Sequence, residues 1–370
     1  MIDNLKPVYG NEAVTVFFST GEKFAPFCCA AILSLLDHAS PIRYYDIIIL
    51  DSGMHNESKK KYLNLLTNHP NVSIRFYSVM HILDKYTLSS SRHFTVDCYS
   101  RLLIPDIIPS HTKAIYLDSD MILMGDIAEL YDIDVSDVYV GALRLLGFPT
   151  AFFGGALPKE DMEKFEHYFT HVAKTRKENW IKYFTTGTLV MNLTLIRERY
   201  SHTQLLEYAE RRKDIHWYLD VEVLNYFLQD KVQFLPFIWG WVPFTENDPN
   251  WRHISLSPKE IFDEYVEAGL NPKIIHFGGE QKPWINPDRI RSEEFWRVFR
   301  RTPFYAEFME KQLCNVVNRV ETIKKDDFYG YPKQDEFIKL VTKHEYFINR
   351  LRSSLPYRVL KKACNLFARS

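Results

Sequence analysis

Strand and helix patterns alternate over the first 80 residues, and this alternation constrains the fold more than any other feature of the sequence. Apolar, β-branched and aromatic runs at 14–20, 44–51 and 72–79 predict three strands. Segments with helical character at 24–38 and 56–68 separate them. Strands that return to their neighbours through helices build a parallel, doubly wound sheet. The sequence therefore predicts an α/β chain with a mostly parallel central sheet flanked by helices.

A fourth predicted strand leads into two closely spaced carboxylates. Residues 114–117 are apolar, and Asp118, Ser119 and Asp120 follow directly. Side chains two positions apart in an extended segment point to the same side, so both carboxylates can face one ligand at the rim of the sheet. Two hard oxygen ligands suit Mg²⁺ or Mn²⁺, which could in turn hold a diphosphate. Taken alone, the same pattern also fits a turn in which Asp caps backbone groups.

The α/β pattern continues to about residue 300. Further helices are predicted at 97–108, 126–131, 159–174, 194–212 and 218–229, and further strands at 138–143, 184–193 and 273–277, with a short edge strand at 121–124. Residues 144–158 show neither helical nor strand periodicity, and they could form a lid, part of a binding cleft or a buried connection. Four rings in the irregular segment 235–257 could stack on sugar faces or pack as an aromatic patch: Trp239, Trp241, Phe244 and Trp251.

Composition argues against several functional classes. The formal net charge of the 370 residues is -1, which gives no argument for a nucleic-acid partner. The longest uncharged apolar run near the N-terminus, residues 24–36, is shorter than the roughly 20 residues that a membrane span needs. The 5 cysteines show neither metal-site spacing nor a disulfide framework, which favours a reducing compartment. The sequence therefore predicts a cytoplasmic protein and leaves its oligomeric state open.

The region from 301 to 370 is predicted to be a helical appendage with a basic end. Residues 350–370 contain six Lys and Arg residues and no acidic residue, and in a helix their apolar side chains would share one face. A basic amphipathic helix of this kind can lie on an anionic membrane surface, or it can dock on the main domain. The first reading predicts peripheral contact with the inner face of the cell membrane.

The opening strand and helix and five later segments together resemble glycosyltransferase family 8, the retaining enzymes of GT-A fold that include bacterial galactosyl- and glucosyltransferases of surface glycans and, as a relative, glycogenin. The resemblance runs from about residue 14 to residue 284. The segments are Arg92-His93 through Arg101, YLDSD at 116–120, FTTGTLVMNL at 184–193, YLDVEVLN at 218–225 and HFGGEQKPW at 276–284. Each is weak alone, but their order and spacing together are typical of the family.

The resemblance implies a glycosyltransferase domain over residues 1–300, with a donor half at about 10–145 and an acceptor half at about 146–300. It implies that a hexose, glucose or galactose, moves from a UDP-sugar to a cell-surface glycan or a lipid-linked acceptor. Asp118, Asp120 and His276 would hold Mn²⁺ or Mg²⁺. The ion and Lys282 would stabilise the leaving diphosphate.

The resemblance also implies roles for residues along the donor. Asp220 and Lys282 are the implied catalytic residues, with Asp220 orienting the sugar rather than attacking it. The positions implied to contact the donor are Ser19, Thr20, Phe24, His93, Arg101, Asp118, Ser119, Thr185, Asp220, Gly279 and Lys282.

Several positions depart from the usual family pattern, including the absence of the Asp often found after the 138–143 strand, where Arg144 and Leu145 stand. Phe24 stands in place of Tyr, Thr185 in place of Asn, and Val221 in place of the Gln that lies by the anomeric carbon. Because Val221 can neither donate nor accept a hydrogen bond, the donor base, the sugar and the efficiency of transfer stay open. One alternative is a sugar-nucleotide-binding protein with weak or no transferase activity. A phosphohydrolase using Asp118 as nucleophile is disfavoured, because Ile122 stands where such enzymes have Thr or Val.

Overall fold

A sheet of seven strands organises the described part of the chain in the computed structural model, which comprises residues 4–90, 96–155, 157–212, 219–246, 248, 250–312 and 314. The described strands are β1 (Val14–Thr20), β2 (Tyr45–Asp51), β3 (Val72–Ser78), β4 (Lys113–Leu117), β5 (Met121–Leu123), β6 (Val140–Arg144), β7 (Phe184–Asn192), β8 (Val232–Phe234) and β9 (Ile274–His276). The main sheet has the order β3-β2-β1-β4-β7-β6-β8, and β5 pairs with β9 in a separate ribbon.

Strand direction confirms the predicted mostly parallel sheet. Strands β1 to β4 of the main sheet run parallel to one another, and β8 runs parallel to β6. Only β7 runs against its neighbours, β4 and β6, among the described strands of this sheet. The prediction of a short strand after Asp120 is confirmed, but β5 lies outside the main sheet rather than at its edge.

Helices cover the sheet. The α-helices in the described part of residues 4–304 are α1 (Ala25–His38), α2 (Asn56–Leu63), α3 (Met80–Leu83), α4 (Ile104–Ile107), α5 (Ala128–Tyr131), α6 (Phe148–Phe153), α7 (Lys159–His167), α8 (Leu193–Arg199), α9 (His202–Arg211), α10 (Asp220–Leu228), α11 (Trp251–Ile254), α12 (Lys259–Ala268) and α13 (Ser292–Phe299). Buried side chains of the sheet and helices form the main core, which includes Phe17, Ile48, Tyr116, Leu189 and Leu224.

Two predicted helices are divided in the structure. Residues 97–108 form a 3₁₀ segment, Val96–Leu103, followed by the short α4, because Pro105 in the first turn of α4 has no N–H to continue the earlier hydrogen bonds. Residues 194–212 form α8 and α9, because Ser201 begins a new helix there. Its side chain accepts a hydrogen bond from the Gln204 amide and the Gln204 side chain accepts one from the Ser201 amide.

The segment 144–158 is not wholly irregular, and that prediction is wrong for α6. Thr150 is buried in α6, and Ser257 Oγ donates to Thr150 Oγ1 at 2.7 Å. A Cβ on Gly154 would lie 1.7 Å from the Leu256 carbonyl oxygen, so only glycine allows this approach. The helix is too short for its period to show in the sequence. Its packing favours the buried connection among the three predicted readings.

Packing also distinguishes the four rings of segment 235–257. Trp239 and Trp241 are buried, and the Trp241 ring stacks on Tyr265 with centroids 6.1 Å apart. These two rings therefore belong to the packed aromatic patch. Phe244 and Trp251 are partly exposed.

The chain divides into two compact units, residues 1–304 and residues 305–370. All elements named above belong to the first unit, and residues 305–312 of the second are helical. The basic end at 350–370 lies outside the described residues. Within the residues described, no helix combines the length and apolar character that a membrane crossing requires.

Candidate functional site

Three side chains that could hold a metal ion meet beyond the end of β4. Asp118 and Asp120 follow that strand, and His276 ends β9. His276 Nε2 lies 3.2 Å from Asp120 Oδ1 and 3.6 Å from Asp118 Oδ2, and one ligand atom from each residue lies within 4.8 Å of the others. The β5–β9 pairing brings them together, because Met121 stands opposite His276 in that ribbon. The cluster could therefore bind a divalent ion.

Gly187 on β7 forms one wall of this cluster. A Cβ at this position would lie 2.6 Å from His276 Cε1 and 2.9 Å from Asp118 Oδ2. Asp118 is held against the same residue by its backbone, since the Asp118 amide donates to the Gly187 carbonyl at 2.9 Å. Glycine thus leaves room that any larger residue would fill. Gly187 lies within the segment FTTGTLVMNL, but the sequence alone does not reveal its role, because these contacts join residues distant in sequence.

Lys282 is bonded to the cluster from the turn after β9. Its Nζ donates to Asp120 Oδ2 and, at 2.9 Å, to the Phe277 carbonyl oxygen. Burial alone would raise the pKa of Asp120, but Lys282 and His276 outweigh burial and hold that pKa well below its ordinary value. Asp120 is therefore ionised at neutral pH.

Arg101 links Asp118 to Asp220 inside the protein. Its Nη2 donates to Asp118 Oδ1 at 2.9 Å, and its Nε lies 3.3 Å from Asp220 Oδ2. The guanidinium also donates to the Thr186 and Cys98 carbonyl oxygens, at 2.7 Å and 3.0 Å. Burial would lower the pKa of Arg101, but Asp220 and the other neighbouring groups raise it, so the charge is permanent. The arginine is buried, and it is placed to orient both carboxylates.

Asp220 begins α10 and is buried, with 1% of its surface exposed. Thr186 Oγ1 donates to Asp220 Oδ2 at 2.8 Å. Burial raises the pKa of Asp220, and Arg101 and Thr186 oppose that rise only in part. The sequence does not reveal this hydrogen bond from Thr186, since it depends on how β7 packs against α10.

The predicted donor positions at the end of β1 are mostly engaged with the protein. Ser19 Oγ donates to the Asp97 carbonyl at 3.2 Å, and Ser119 Oγ donates to the Ser19 carbonyl at 2.6 Å. Thr20 is buried, so its side chain presents almost no surface to a ligand. Phe24 is partly exposed and meets the Trp284 ring edge-on, with centroids 6.2 Å apart.

The remaining predicted positions differ in their surroundings. Thr185 is half-buried on β7, two residues before Gly187, which lines the cluster. Val221 packs into a small aromatic cluster with Tyr168, Trp180 and Tyr183, so its position presents no polar group. His93 lies outside the described residues.

The turn at 277–282 carries Gly279 and Lys282. Gly279 has φ +79°, in the left-handed region that favours glycine. Arg289 donates from Nη1 to the carbonyl oxygens of Gly278, at 3.1 Å, and Gln281. No sequence pattern marks this arginine, because it follows the recognisable segment and acts on backbone atoms.

The fold and the site together define a class of protein, the GT-A glycosyltransferases. The structure resembles that of the WbbM bifunctional glycosyltransferase, with a TM-score of 0.70, 26% identity and coverage of 83% of this chain and 53% of that chain. This chain therefore spans about half of that bifunctional protein. It also resembles the galactosyltransferase LgtC, solved with donor and acceptor sugar analogues, with a TM-score of 0.58, 21% identity and coverage of 77% and 95%. The second likeness supports the fold alone.

The chain belongs to glycosyl transferase family 8, whose model matches residues 15–287. Among similar proteins, general stress protein A of Bacillus subtilis is 24% identical over 286 residues, which are 74% of this chain and 88% of that protein. Glycosyltransferase GlyF of Streptococcus pneumoniae is 24% identical over 331 residues, 86% of this chain and 68% of that protein. The predicted family and GT-A fold are confirmed. Membership makes the protein a glycosyltransferase and implies a nucleotide-sugar donor and a glycan acceptor.

Proposed function

We propose that this protein is a metal-dependent retaining glycosyltransferase that moves glucose or galactose from a UDP-sugar to a cell-surface glycan or a lipid-linked oligosaccharide. The observation that carries the proposal is the meeting of Asp118, Asp120 and His276 with Lys282 beyond the end of β4. Ligands of open α/β sheets bind at that edge. Residues of about 10–145 would bind the donor, and residues of about 146–300 would bind the acceptor.

The donor set fits a hard divalent ion. Asp118, Asp120 and His276 offer two carboxylate oxygens and one imidazole nitrogen, which suit Mn²⁺ and Mg²⁺. Gly187 keeps the space beside them clear of side-chain atoms. When bound, the ion would supply positive charge to neutralise the leaving diphosphate.

Charge balance at the site supports the same conclusion. Among the described residues, the carboxylates of Asp118, Asp120 and Asp220 pair with only two permanent cations, Arg101 and Lys282. Three carboxylates therefore meet two ion-paired cations in a largely buried site. Because buried carboxylates that outnumber their cations are costly, a divalent cation would stabilise this arrangement and add positive charge for a diphosphate.

The protein's own residues would divide the work around the donor. Lys282 would hold diphosphate oxygens, and the backbone at Gly279 would allow their close approach. Arg101 would fix Asp118 relative to Asp220, through the contacts at 2.9 Å and 3.3 Å. Asp220 would orient the sugar. Its burial and its bonds to Arg101 and Thr186 suit orientation rather than nucleophilic attack, in keeping with front-face transfer.

A sugar-nucleotide-binding protein with weak transferase activity is the second candidate. Val221 favours it, because this side chain packs against aromatic residues where the family usually has a Gln. Loss of that amide would remove a polar contact near the anomeric carbon without touching the diphosphate site. Tight UDP binding without transfer to any acceptor would support this candidate.

Contact between residues 350–370 and an anionic membrane surface, on the cytoplasmic side, is part of the proposal. Six basic residues and no acidic residue in this segment support it. Co-sedimentation with vesicles containing phosphatidylglycerol, compared with neutral vesicles, tests it. Equal sedimentation of the full chain with both kinds of vesicle would contradict it.

A donor screen tests the proposed function. The protein is incubated with Mn²⁺, an acceptor extract and UDP-, GDP- or CMP-sugars, and nucleotide release is measured. UDP-galactose and UDP-glucose come first, in part because LgtC is a galactosyltransferase. NMR of the product then gives the linkage, which should keep the anomeric configuration of the donor. Release from GDP- or CMP-sugars alone, or an inverted linkage, would contradict the proposal.

A further inference from the structure

A buried arginine outside the family-matched segment holds the turn that carries Gly279 and Lys282. Arg289 follows residue 287, where the family match ends, and only 8% of its surface is exposed. Its Nη1 donates both to the Gly278 carbonyl oxygen, at 3.1 Å, and to that of Gln281. One nitrogen atom thus binds two carbonyls of the turn, three residues apart.

Lys282 also binds this turn. Its Nζ donates to the Phe277 carbonyl at 2.9 Å, and its amide donates to the Glu280 carbonyl at 3.1 Å. Carbonyl oxygens at 277, 278 and 281 are therefore all directed at cationic side chains. Within the residues described, no acceptor takes the amide hydrogen of Gly278 or Gln281. A turn with its carbonyls occupied and its amides available is suited to an anion.

The charge of Arg289 adds positive potential to this turn. Burial lowers the pKa of its guanidinium, with Asp248 and Asp120 opposing that effect at longer range. No carboxylate of the described residues lies within ion-pair distance of it, and its Nε–H has no acceptor among them. A buried cation without a close carboxylate costs free energy unless an anion shares its region. Its position therefore favours a ligand with negative charge on the turn.

We infer that Arg289 is a positioning residue for the donor diphosphate. It fixes the carbonyls of residues 278 and 281, so that the amides of the turn and the Lys282 ammonium hold one geometry before the donor binds. Such pre-organisation saves the cost of ordering the turn during binding. The inference rests on the proposed function, because it assumes that the diphosphate of a UDP-sugar occupies this edge of the site.

The chain offers a matched control in Arg291. This arginine also donates to a backbone carbonyl, that of Gly269 at 2.9 Å, and it pairs with Glu294 at 2.7 Å. It makes no described contact with the 277–282 turn. Arg291→Lys therefore reports the general cost of replacing a carbonyl-binding arginine, and Arg289→Lys reports the effect on the turn.

The experiment measures the affinities of UDP and uridine by calorimetry with Mn²⁺ for the wild type, Arg289→Lys and Arg291→Lys. Arg289→Lys should weaken UDP binding about tenfold, as expected for about 1.4 kcal/mol, and leave uridine binding unchanged. Arg291→Lys should change neither affinity. The KM for the donor should rise in Arg289→Lys more than kcat falls. Arg289→Gln should show a larger loss, and if it does not fold, Arg289→Lys alone decides.

Two results would overturn the inference while leaving the proposed function intact. One is equal UDP affinity in the wild type and Arg289→Lys. The other is an equal loss for UDP and uridine, which would indicate a general structural role. A wild type that binds UDP no more tightly than uridine would instead overturn the proposed function, and the inference with it.

Discussion

Thr186 Oγ1 donates to Asp220 Oδ2 at 2.8 Å, so a hydroxyl on β7 fixes the carboxylate at the start of α10. Thr186→Val keeps the shape and removes this hydrogen bond. Because a buried charged acceptor then loses a donor, the free energy of unfolding should fall by about 1–3 kcal/mol and kcat/KM for the donor should fall about tenfold. Urea unfolding and donor kinetics measure the two effects. Thr186→Ser should restore both, and a Ser variant as impaired as the Val variant would contradict this role.

The pH dependence of stability should report the state of Asp220. Its pKa is raised by burial, so the folded protein binds this proton more tightly than the unfolded chain, whose carboxyl has a pKa of about 3.9. The resulting stability is complete below that value and is lost as pH rises through the folded pKa. Asp220→Asn removes this loss. As the pH rises across that range, the unfolding free energy of Asp220→Asn should therefore increase relative to that of the wild type.

Urea unfolding at a series of pH values measures that difference. Above the raised pKa it should level off, since both forms then carry fixed charges at this position. A difference that does not change with pH would show that the pKa of Asp220 is the same in the folded and unfolded states.

Gly187→Ala should impair metal binding more than folding. Its Cβ would lie 2.6 Å from His276 Cε1 and 2.9 Å from Asp118 Oδ2, so the two ligands must move apart. We expect Mn²⁺ affinity, measured by electron paramagnetic resonance, to fall about tenfold or more, as when the partners of metal ligands are removed. Gly141→Ala is the control, because its Cβ would meet Leu235 Cδ2 at 3.2 Å, away from the cluster. Equal Mn²⁺ affinities in the two variants would contradict the assignment.

Glu222 ties the segment before β7 to α10. Tyr168 donates to Glu222 Oε1 at 2.5 Å, and Tyr183 donates to Oε2. Glu222→Gln replaces one acceptor with a donor, so we expect a loss of about 1–3 kcal/mol in the free energy of unfolding. Hydrogen exchange over residues 159–183 should rise. Glu163→Gln, at an exposed carboxylate, is the control, and equal exchange in both variants would contradict this role.

The fold could be predicted in its first half more fully than in its second. Parallel strands buried on both faces give continuous apolar runs, so β1, β2 and β4 are visible in the sequence. The direction of β7 and the β5–β9 ribbon depend on pairing between segments far apart in the chain. Short elements such as α6, and breaks such as that at Ser201, are decided by single caps and tertiary contacts.

In the candidate site, too, the sequence reveals some residues and not others. Asp118, Asp120, His276 and Lys282 are visible because acidic, imidazole and basic residues stand at strand ends in a recognisable order. Gly187, Thr186 and Arg289 are not, because a glycine, a threonine and an isolated arginine have no distinctive spacing. Their roles depend on contacts that form only in the folded chain. Gly187 leaves out a Cβ that would meet the cluster, Thr186 bonds a carboxylate oxygen, and Arg289 bonds two carbonyl oxygens.

Asp118, Asp120 and His276 are proposed to hold the ion on which sugar transfer depends. The most direct test is Mn²⁺-dependent turnover of UDP-galactose and UDP-glucose by the wild type and Asp120→Asn. The wild type should lose activity with EDTA and regain it with Mn²⁺. Asp120→Asn should lower kcat/KM about 100-fold or more, since loss of a ligand should exceed the 10–100-fold cost of losing its outer partners. Unchanged Mn²⁺-dependent turnover in Asp120→Asn would contradict the assignment of this site.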